Sequence, residues 1–241
     1  MHWIICPDRQ AQAKACASII TAHVLQKPAC VLGFATGSTP LDIYRELITL
    51  NKSGVVSFEK VRTFNLDEYV GLPKDHPQSY YRFMWDNLFT ALKFREDQAQ
   101  LPNGMADDLE AECERYENEI EKAGYIDLQL LGIGHDGHIG FNEPADKFEK
   151  CTHVAKLTDQ TIEANKRFFN SPDEVPRTSL SMGVGTIMSA RSILLTAFGK
   201  DKAKIIREAF LGDVTPKVAA SILQFHNDCT IVLDKDAASL L

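Results

Sequence analysis

The sequence has few cysteines, no long apolar run and no excess of positive charge. Its 241 residues include six cysteines, which are irregularly spaced and form no CxxC pair. The six are Cys6, Cys16, Cys30, Cys113, Cys151 and Cys229. This spacing argues against a disulfide framework and predicts reduced, mostly buried thiols in a cytoplasmic protein. The chain has no signal-peptide pattern at its start and no run of about 18 apolar residues, so we expect neither a secretion signal nor a transmembrane helix.

The charge balance is acidic. Lys and Arg number 26 and Asp and Glu 33, which gives a formal net charge of −7 at pH 7. This balance argues against broad electrostatic binding, so we predict no nucleic-acid partner and no membrane surface as a partner. The 44% of hydrophobic and 24% of charged residues are typical of a globular chain and exclude a disordered or collagen-like one.

Strand and helix patterns alternate along the chain. Apolar runs predict strands at residues 2–6, 30–35, 61–65, 126–131, 192–197 and 230–233. Apolar residues at spacings of three and four predict helices at 8–26, 39–50, 109–120, 158–169 and 201–210. The fold class is therefore α/β. We expect a single doubly wound, mostly parallel sheet with helices on both faces, which is a three-layer αβα, Rossmann-like arrangement. No Pro/Gly/Ser-rich linker divides the chain, so one domain is expected over residues 1–241, with ligands beyond the carboxyl ends of the strands.

The first loop at a predicted strand end contains Gly37, Ser38, Thr39 and Pro40. Glycine permits close backbone approach, the two hydroxyls can cap a helix, and proline suits the first helical turn. Free N–H groups at such a helix start bind phosphate. A Walker A sequence is absent, so the loop fits a phosphomonoester better than a nucleoside triphosphate. An ordinary capped turn explains the loop equally well.

The second loop carries two adjacent acids, Asp67 and Glu68, where a predicted strand ends. A carboxylate at this edge of the sheet is a candidate general base. A solvated loop acid is the alternative, and it is the more common situation for any single acid.

The third loop, residues 131–144, holds two histidines, two acids and four glycines. Asp136 lies two residues before His138 and Glu143 five after it, and both can orient and tune the imidazole. Gly132, Gly134 and Gly137 spell GxGxxG, but Gly140 and Pro144 break the helix that a dinucleotide site requires, so we discount an NAD-dependent oxidoreductase. No HExxH, Cys/His or EF-hand spacing is present, so no metal site is predicted.

Two basic residues are weaker candidates for an anion site. Arg167 lies near the end of a predicted helix, and Lys202 follows a predicted strand. Arg can hold a phosphate with two hydrogen bonds and Lys acts as a point charge. From spacing alone, however, a solvated surface cation is the favoured interpretation of each.

Several strings resemble the glucosamine-6-phosphate deaminase (isomerase) family along nearly the whole chain. They are ATGSTPLDIY at 35–44, NLDEYVGLP at 65–73, SYYRFM at 79–84, LPNG at 101–104, GIGHDGHIGFNEP at 132–144, ANKRFF at 164–169 and SMGVGTIMSA at 181–190. The resemblance implies conversion of glucosamine 6-phosphate and water to fructose 6-phosphate and ammonia, in amino sugar (N-acetylglucosamine) catabolism, with no metal and no organic cofactor.

The resemblance also implies roles for single residues. Asp67 would move a proton between carbons 2 and 1 through an enolamine-type intermediate, and His138 would assist opening of the sugar ring. Asp136 and Glu143 would hold and tune that histidine. The phosphate would be held by Gly37, Ser38, Thr39, Arg167 and Lys202. His135 is at a position where the family varies, and we assign it no role.

The same resemblance favours the short, non-allosteric branch of the family. In the allosteric branch an Arg-x-Lys pair follows the NEP glutamate, and the corresponding positions here hold His153 and Ala155. The chain also ends at Leu241, before the extension typical of that branch, so a monomer or weak homo-oligomer is expected.

Two alternatives use a related fold. A 6-phosphogluconolactonase would share the phosphate loop and a GxDGH-like string, but the IGFNEP that follows His138 favours the deaminase. A non-catalytic sugar-phosphate sensor would usually carry a DNA-binding domain, for which a first strand at residue 2 leaves no room. The expected partner is therefore a small-molecule sugar phosphate.

Overall fold

The central element is a seven-stranded parallel sheet, described by a computed structural model that covers residues 1–166, 169, 171 and 174–241. Its strands are β1 (His2–Cys6), β2 (Val31–Phe34), β3 (Arg62–Asn65), β5 (Ala99–Gln100), β6 (Leu128–Leu131), β9 (Ser192–Ala197) and β10 (Cys229–Asp234). They lie in the order β1-β10-β9-β6-β2-β3-β5, and every neighbouring pair is parallel. The predicted α/β class with a mostly parallel sheet is confirmed.

Helices cover both faces of this sheet. They are α1 (Arg9–Gln26), α2 (Leu41–Lys52), α3 (Tyr80–Met84), α4 (Thr90–Leu92), α5 (Leu109–Lys122), α6 (Asp159–Asn165), α7 (Val184–Met188) and α8 (Ala203–Leu211). The π-helical turn Trp85–Phe89 joins α3 to α4. One buried apolar cluster packs α1, α2 and residues 84–92 on the sheet, and a second packs α5, α7 and α8 on its other face. Because strand side chains alternate between faces, Ile231 and Leu233 belong to the second cluster and Val232 to the first.

Local sequence explains the first elements well. Asp8 caps α1, since its Oδ1 accepts a hydrogen bond of 2.8 Å from the N–H of Ala11, as its position predicts. β2 reads VLGF and all four residues are buried, as expected of a strand covered on both faces. The predicted helix at 158–169 corresponds to α6, which ends at Asn165, shortly before residues that the structure does not describe.

A second, smaller sheet is not foreseen from the sequence. It is antiparallel and consists of β4 (Asp67–Tyr69), β8 (Thr178–Ser181) and β7 (His153–Lys156), in that order. Only Leu66 separates β3 from β4, so the chain passes directly from the central sheet into this one. Asp67 and Glu68, which we expected in a loop, therefore lie in a strand, and Asp67 is the pairing partner of Ser181.

Among the residues that the structure describes, no helix has both the length and the apolar character needed to cross a membrane.

Candidate active site

A cavity of about 390 Å³ opens at the carboxyl ends of the central strands. Its volume is typical of a small-molecule site. Seven of the nine predicted site residues line it: Gly37, Ser38, Thr39, Asp67, Asp136, His138 and Lys202. Glu143 is not in the wall but contacts His138. Arg167 lies outside the described residues. The loops that the sequence separates by more than 100 residues thus contribute to one cavity.

The glycine-containing loop before α2 forms one wall of the cavity. Gly37 has a φ of +97°, a left-handed conformation that glycine adopts without strain. The expected side-chain cap is absent: Pro40 occupies the cap position and no side chain caps the first turn. The hydroxyls of Ser38 and Thr39 are therefore not used to cap α2, and both residues line the cavity beside a helix start suited to an anion.

Lys202 lies opposite this loop, at the end of the 3-10 turn Lys200–Lys202 that follows β9. Its Nζ donates a hydrogen bond of 2.8 Å to the carbonyl oxygen of Ile133, and burial lowers the pKa of this lysine. The interpretation as a solvated surface cation is therefore wrong for Lys202. Its ammonium points to the loop after β6, where it can reach an anionic ligand.

Asp67 and Glu68 have opposite orientations because they are neighbours in a strand. Asp67 faces the cavity and only 6% of its surface is exposed. Burial raises the pKa of Asp67 to about 7, the adjacent Glu68 adds to the rise, and His138 opposes it. Asp67 is therefore a buried carboxyl poised near neutrality, which is the property of a general base rather than of a solvated loop acid.

Glu68 lies on the other side of the strand and holds the start of α3. Its Oε1 accepts hydrogen bonds of 2.9 Å from the N–H groups of Tyr69 and Tyr80, and its Oε2 accepts one of 2.8 Å from that of Tyr81. Burial raises the pKa of Glu68 to about 7, and these three donors oppose the rise. Glu68 thereby fastens Tyr80, which lines the cavity, to the strand that carries Asp67.

We expect Glu68→Gln to speed hydrogen exchange at the amide of Tyr81 by about tenfold or more, because one amide N–H₂ must then face this backbone donor. The measurement is amide hydrogen exchange by NMR, which reports the loss of this one hydrogen bond separately from the cost of burying the native charge. The matched control is Glu96→Gln, which changes an exposed acid on the other side of Tyr81. Equal exchange of the Tyr81 amide in the two variants would contradict the role of Glu68 as an anchor.

His138 lies between two carboxylates. Its Nδ1 is 2.7 Å from Asp136 Oδ1 and 3.4 Å from Glu143 Oε2. Neither oxygen is aligned for a hydrogen bond with Nδ1, so these contacts are primarily ion-pair contacts. Burial disfavours the imidazolium, but the two carboxylates outweigh it and raise the pKa of His138 to about 9. His138 is therefore a cation at neutral pH, and its charge holds the pKa of Asp136 well below the usual range.

Glycine is required where His138 approaches the loop. A Cβ on Gly134 would lie 2.4 Å from the His138 ring, closer than real Cβ contacts. The N–H of Gly134 donates to the carbonyl oxygen of His138 at 2.9 Å, which closes the turn around the imidazole. No helix begins within residues 132–144, which agrees with the rejection of a dinucleotide motif.

Sequence reasoning missed Thr161 and Thr158. Thr161 Oγ1 donates to Glu143 Oε1 at 2.6 Å, and Thr158 Oγ1 lies 3.4 Å from Glu143 Oε2. Thr158 is the N-cap of α6, so the helix start is connected to the carboxylate that contacts His138. The capping pattern alone predicts Thr158 at a helix start, but it carries no information about Glu143.

The ligand atoms of Asp136, His138 and Glu143 lie within 4.8 Å of one another, close enough to surround a metal ion. Metals bind neutral imidazole, however, whereas this histidine is held as a cation between its two carboxylates. Glu143 also accepts from Thr161. A metal ion would therefore have to displace the imidazole proton and compete with the hydrogen bond from Thr161.

The chain is similar to known proteins along nearly its whole length. A model of the family described as glucosamine-6-phosphate isomerases/6-phosphogluconolactonase matches residues 8–232. The chain is 53% identical over 241 residues to a glucosamine-6-phosphate deaminase of Thermoanaerobacter pseudethanolicus, which covers 100% of this chain and 95% of that protein. It is 48% identical to one of Halothermothrix orenii, with 100% of both covered.

Solved structures give the same result at the level of the fold. A monomeric glucosamine-6-phosphate deaminase superposes with a TM-score of 0.97 at 44% identity, over 100% of both chains. A 6-phosphogluconolactonase of Trypanosoma brucei superposes with a TM-score of 0.75 at 19% identity, over 100% of this chain and 98% of that one. At 19% identity the second likeness concerns the fold alone.

Proposed function

The chain belongs to the glucosamine-6-phosphate isomerase/6-phosphogluconolactonase family, and from this we propose that it is a glucosamine-6-phosphate deaminase. It converts glucosamine 6-phosphate and water to fructose 6-phosphate and ammonia. The observation that carries the proposal is the presence in one cavity of a buried carboxylate, Asp67, and a histidine held between two carboxylates, His138. These are the two proton-transfer groups that the reaction needs.

The reaction begins with opening of the sugar ring. A proton must leave the hydroxyl on carbon 1 and another must reach the ring oxygen while the bond between carbon 1 and that oxygen breaks. The His138 imidazolium supplies the proton to the ring oxygen, and its neutral form accepts the hydroxyl proton. Asp136 and Glu143 stabilise the charged form and orient the ring, which supports this assignment.

The second step is an aldose–ketose isomerisation. The Asp67 carboxylate takes the proton from carbon 2 while a proton of the substrate's ammonium group reaches the aldehyde oxygen on carbon 1, which leaves an enolamine. Asp67 then returns its proton to carbon 1, which leaves an iminium at carbon 2. Water adds to the iminium, and ammonia departs as ammonium with both protons of that water. The burial of Asp67 supports this role because a partly desolvated carboxylate with a pKa near 7 is a stronger base than a solvated one.

The phosphate is remote from the reacting carbons and positions them. We assign it to Gly37, Ser38, Thr39 and Lys202, and the position of these residues around the cavity supports the assignment. We include Arg167 in the phosphate site only because the motif around it resembles that of the family. Correct positioning converts binding energy at the phosphate into a favourable geometry at carbons 1 and 2.

The decisive experiment is a coupled assay that measures fructose 6-phosphate and ammonia produced from glucosamine 6-phosphate. Equal amounts of both products would support the proposal. Hydrolysis of 6-phosphogluconolactone in the absence of deamination would favour the lactonase, and tight binding of glucosamine 6-phosphate without either product would favour a sensor. The curated relatives named as deaminases favour the first outcome.

We expect a bell-shaped dependence of kcat/KM on pH. Burial raises the pKa of Asp67 to about 7, so the required carboxylate is lost, and activity falls, as the pH drops below this value. The carboxylates of Asp136 and Glu143 raise the pKa of His138 to about 9 against the effect of its burial, so the imidazolium is lost, and activity falls, above this value. Initial rates at constant ionic strength measure both limbs. A flat profile through neutrality would contradict both assignments.

The proposal extends to organisation and location. It takes residues 1–241 as one domain, since both sheets contribute side chains to one cavity. A monomer is supported by the monomeric deaminase to which the chain is similar. A cytoplasmic location is supported by the six free cysteines and by the phosphorylated substrate of the named relatives.

A further inference from the structure

Arg9 is a charged residue near the cavity to which neither the sequence motifs nor the mechanism gives a role. It is the first residue of α1. Its Nε donates a hydrogen bond of 2.6 Å to Asp42 Oδ2, and its Nη2 lies 3.4 Å from the carbonyl oxygen of Ser38. Its Cζ lies 3.9 Å from the centroid of the Phe198 ring. One guanidinium therefore contacts two segments that are distant in sequence, residues 38–42 and Phe198.

The three partners belong to the two walls of the proposed phosphate site. Ser38 is part of the glycine-containing loop, and Asp42 lies in the first turn of the helix that follows it. Phe198 lies between β9 and the turn that carries Lys202, and both Ser38 and Phe198 line the cavity. Arg9 itself does not line it.

We propose that Arg9 is a positioning residue that holds the phosphate loop and the lysine turn at the separation a phosphomonoester requires. The inference rests on the proposed function in one respect: the phosphate is taken to be the one on carbon 6 of glucosamine 6-phosphate. Arg9 acts through Ser38, Asp42 and Phe198, and it makes no contact with the substrate. Without it, the two walls are free to separate, and binding weakens before chemistry does.

The shape of the guanidinium explains why an arginine occupies this position. Its planar face stacks on the aromatic ring of Phe198 while its edge N–H groups donate to Asp42 and Ser38. A lysine ammonium has the same charge but cannot stack and donate in two directions from one plane. A lysine substitution can therefore separate the effect of the positive charge of Arg9 from the effect of its planar shape.

The first test is Arg9→Ala. We expect KM for glucosamine 6-phosphate to rise about tenfold, which corresponds to a loss of about 1.4 kcal/mol of binding, with kcat nearly unchanged. The inhibition constant of inorganic phosphate, a probe that contains only the group in question, should rise by a similar factor. A kcat that falls while KM is unchanged, or unchanged values of both, would overturn the proposal.

Arg9→Lys and Arg45→Ala separate the explanations. If Arg9 positions the two walls, the lysine variant should resemble Arg9→Ala; if Arg9 acts only by attracting an anion, the lysine variant will resemble the native protein, and the proposal is wrong. Arg45 donates to the other carboxylate oxygen of Asp42 at 2.5 Å and is more exposed than Arg9. Arg45→Ala therefore removes a comparable ion pair, and its KM should stay near the native value.

A double-mutant cycle with Phe198→Leu tests the stacking contact itself. If the two residues act through one contact, the effects of Arg9→Ala and Phe198→Leu on phosphate binding will not add in the double variant, whereas additive effects would overturn the proposal. Binding of inorganic phosphate is measured by titration calorimetry, which does not depend on turnover. If the native protein binds phosphate but releases no ammonia, the deaminase function is refuted. The phosphate titration of the Arg9 variants still decides the role of Arg9 in that case.

Discussion

Asp67→Asn is expected to lower kcat by about a hundredfold to ten-thousandfold while leaving KM for glucosamine 6-phosphate within a factor of a few, since general-base catalysis contributes about 10²–10⁴ and the amide is not a base at neutral pH. The substitution keeps the size of the side chain and its place beside the cavity. The rate of fructose 6-phosphate formation measures the effect. A variant that stays fully active would refute Asp67 as the base.

The same variant should be more stable than the native protein at pH 8. Burial raises the pKa of Asp67 to about 7 in the folded state, well above the value of an exposed Asp, so the folded state binds the proton more tightly than the unfolded one. Stability from this group is present at low pH and is lost as the pH rises towards 7. The neutral amide avoids the loss, and each kcal/mol recovered raises the melting temperature by about 2–4 °C in a chain of this size.

The combination of lost activity and higher stability distinguishes removal of a base from misfolding. Asp146→Asn is the matched control, because Asp146 is an exposed acid whose Oδ1 pairs with Lys217 outside the cavity. Its activity should be near the native value. If Asp67→Asn is both inactive and less stable, the carboxylate has a structural role that the proposal does not include.

His138→Gln is expected to reduce kcat about a hundredfold, which is within the range of general acid–base catalysis by one positioned side chain. Glutamine approximates the length of the histidine but cannot transfer a proton. It also removes the positive charge that opposes the raised pKa of Asp67, so the acid limb of the pH profile should move to higher pH. If the acid limb instead reported titration of the substrate, it would lie at the same pH in the native protein and in His138→Gln.

An acyclic substrate separates ring opening from the later steps. An analogue of glucosamine 6-phosphate that lacks both the 4- and the 5-hydroxyl can close neither a furanose nor a pyranose ring, so the loss caused by His138→Gln should shrink with it. An equal loss with both substrates would mean that His138 acts in the isomerisation instead. His135→Gln is the control: His135 is in the same loop and is exposed, and its Nε2 lies 2.7 Å from Asp201 Oδ2, a surface contact that contributes less than about 1 kcal/mol.

Six of the seven strands of the central sheet were predictable because they lie in apolar runs, whereas the two-residue β5 (Ala99–Gln100) gives no such signal and was not predicted. The small sheet was not predictable either, because β4, β7 and β8 are only three or four residues long and contain polar side chains in DEY, HVAK and TSLS. The pairing of Asp67 with Ser181 joins positions far apart in the sequence, and no local signal predicts it. This sheet is what buries Asp67, so the sequence indicated a candidate acid without its environment.

The functional site, like the fold, was only partly predictable from the sequence. The family resemblance indicated which residues belong to it, but their contacts depend on tertiary structure. Lys202 looks like a surface cation until its bond to the carbonyl of Ile133 is seen. The sequence alone does not distinguish Glu68 from Asp67, whereas the structure shows that Glu68 accepts hydrogen bonds from three backbone N–H groups. Thr161 and Arg9 carry no signal of their own.

The position of β1 has a consequence for synthesis of the chain. β1 leaves the ribosome long before β10, yet within the described structure β10 is its partner in the sheet, and His2 pairs with Thr230. At about 5–20 residues per second, β1 is separated from its partner by roughly 10–45 s of translation. During that interval the apolar segment around Trp3 and Ile5 has no strand beside it, so this edge of the sheet closes only after β10 has been made.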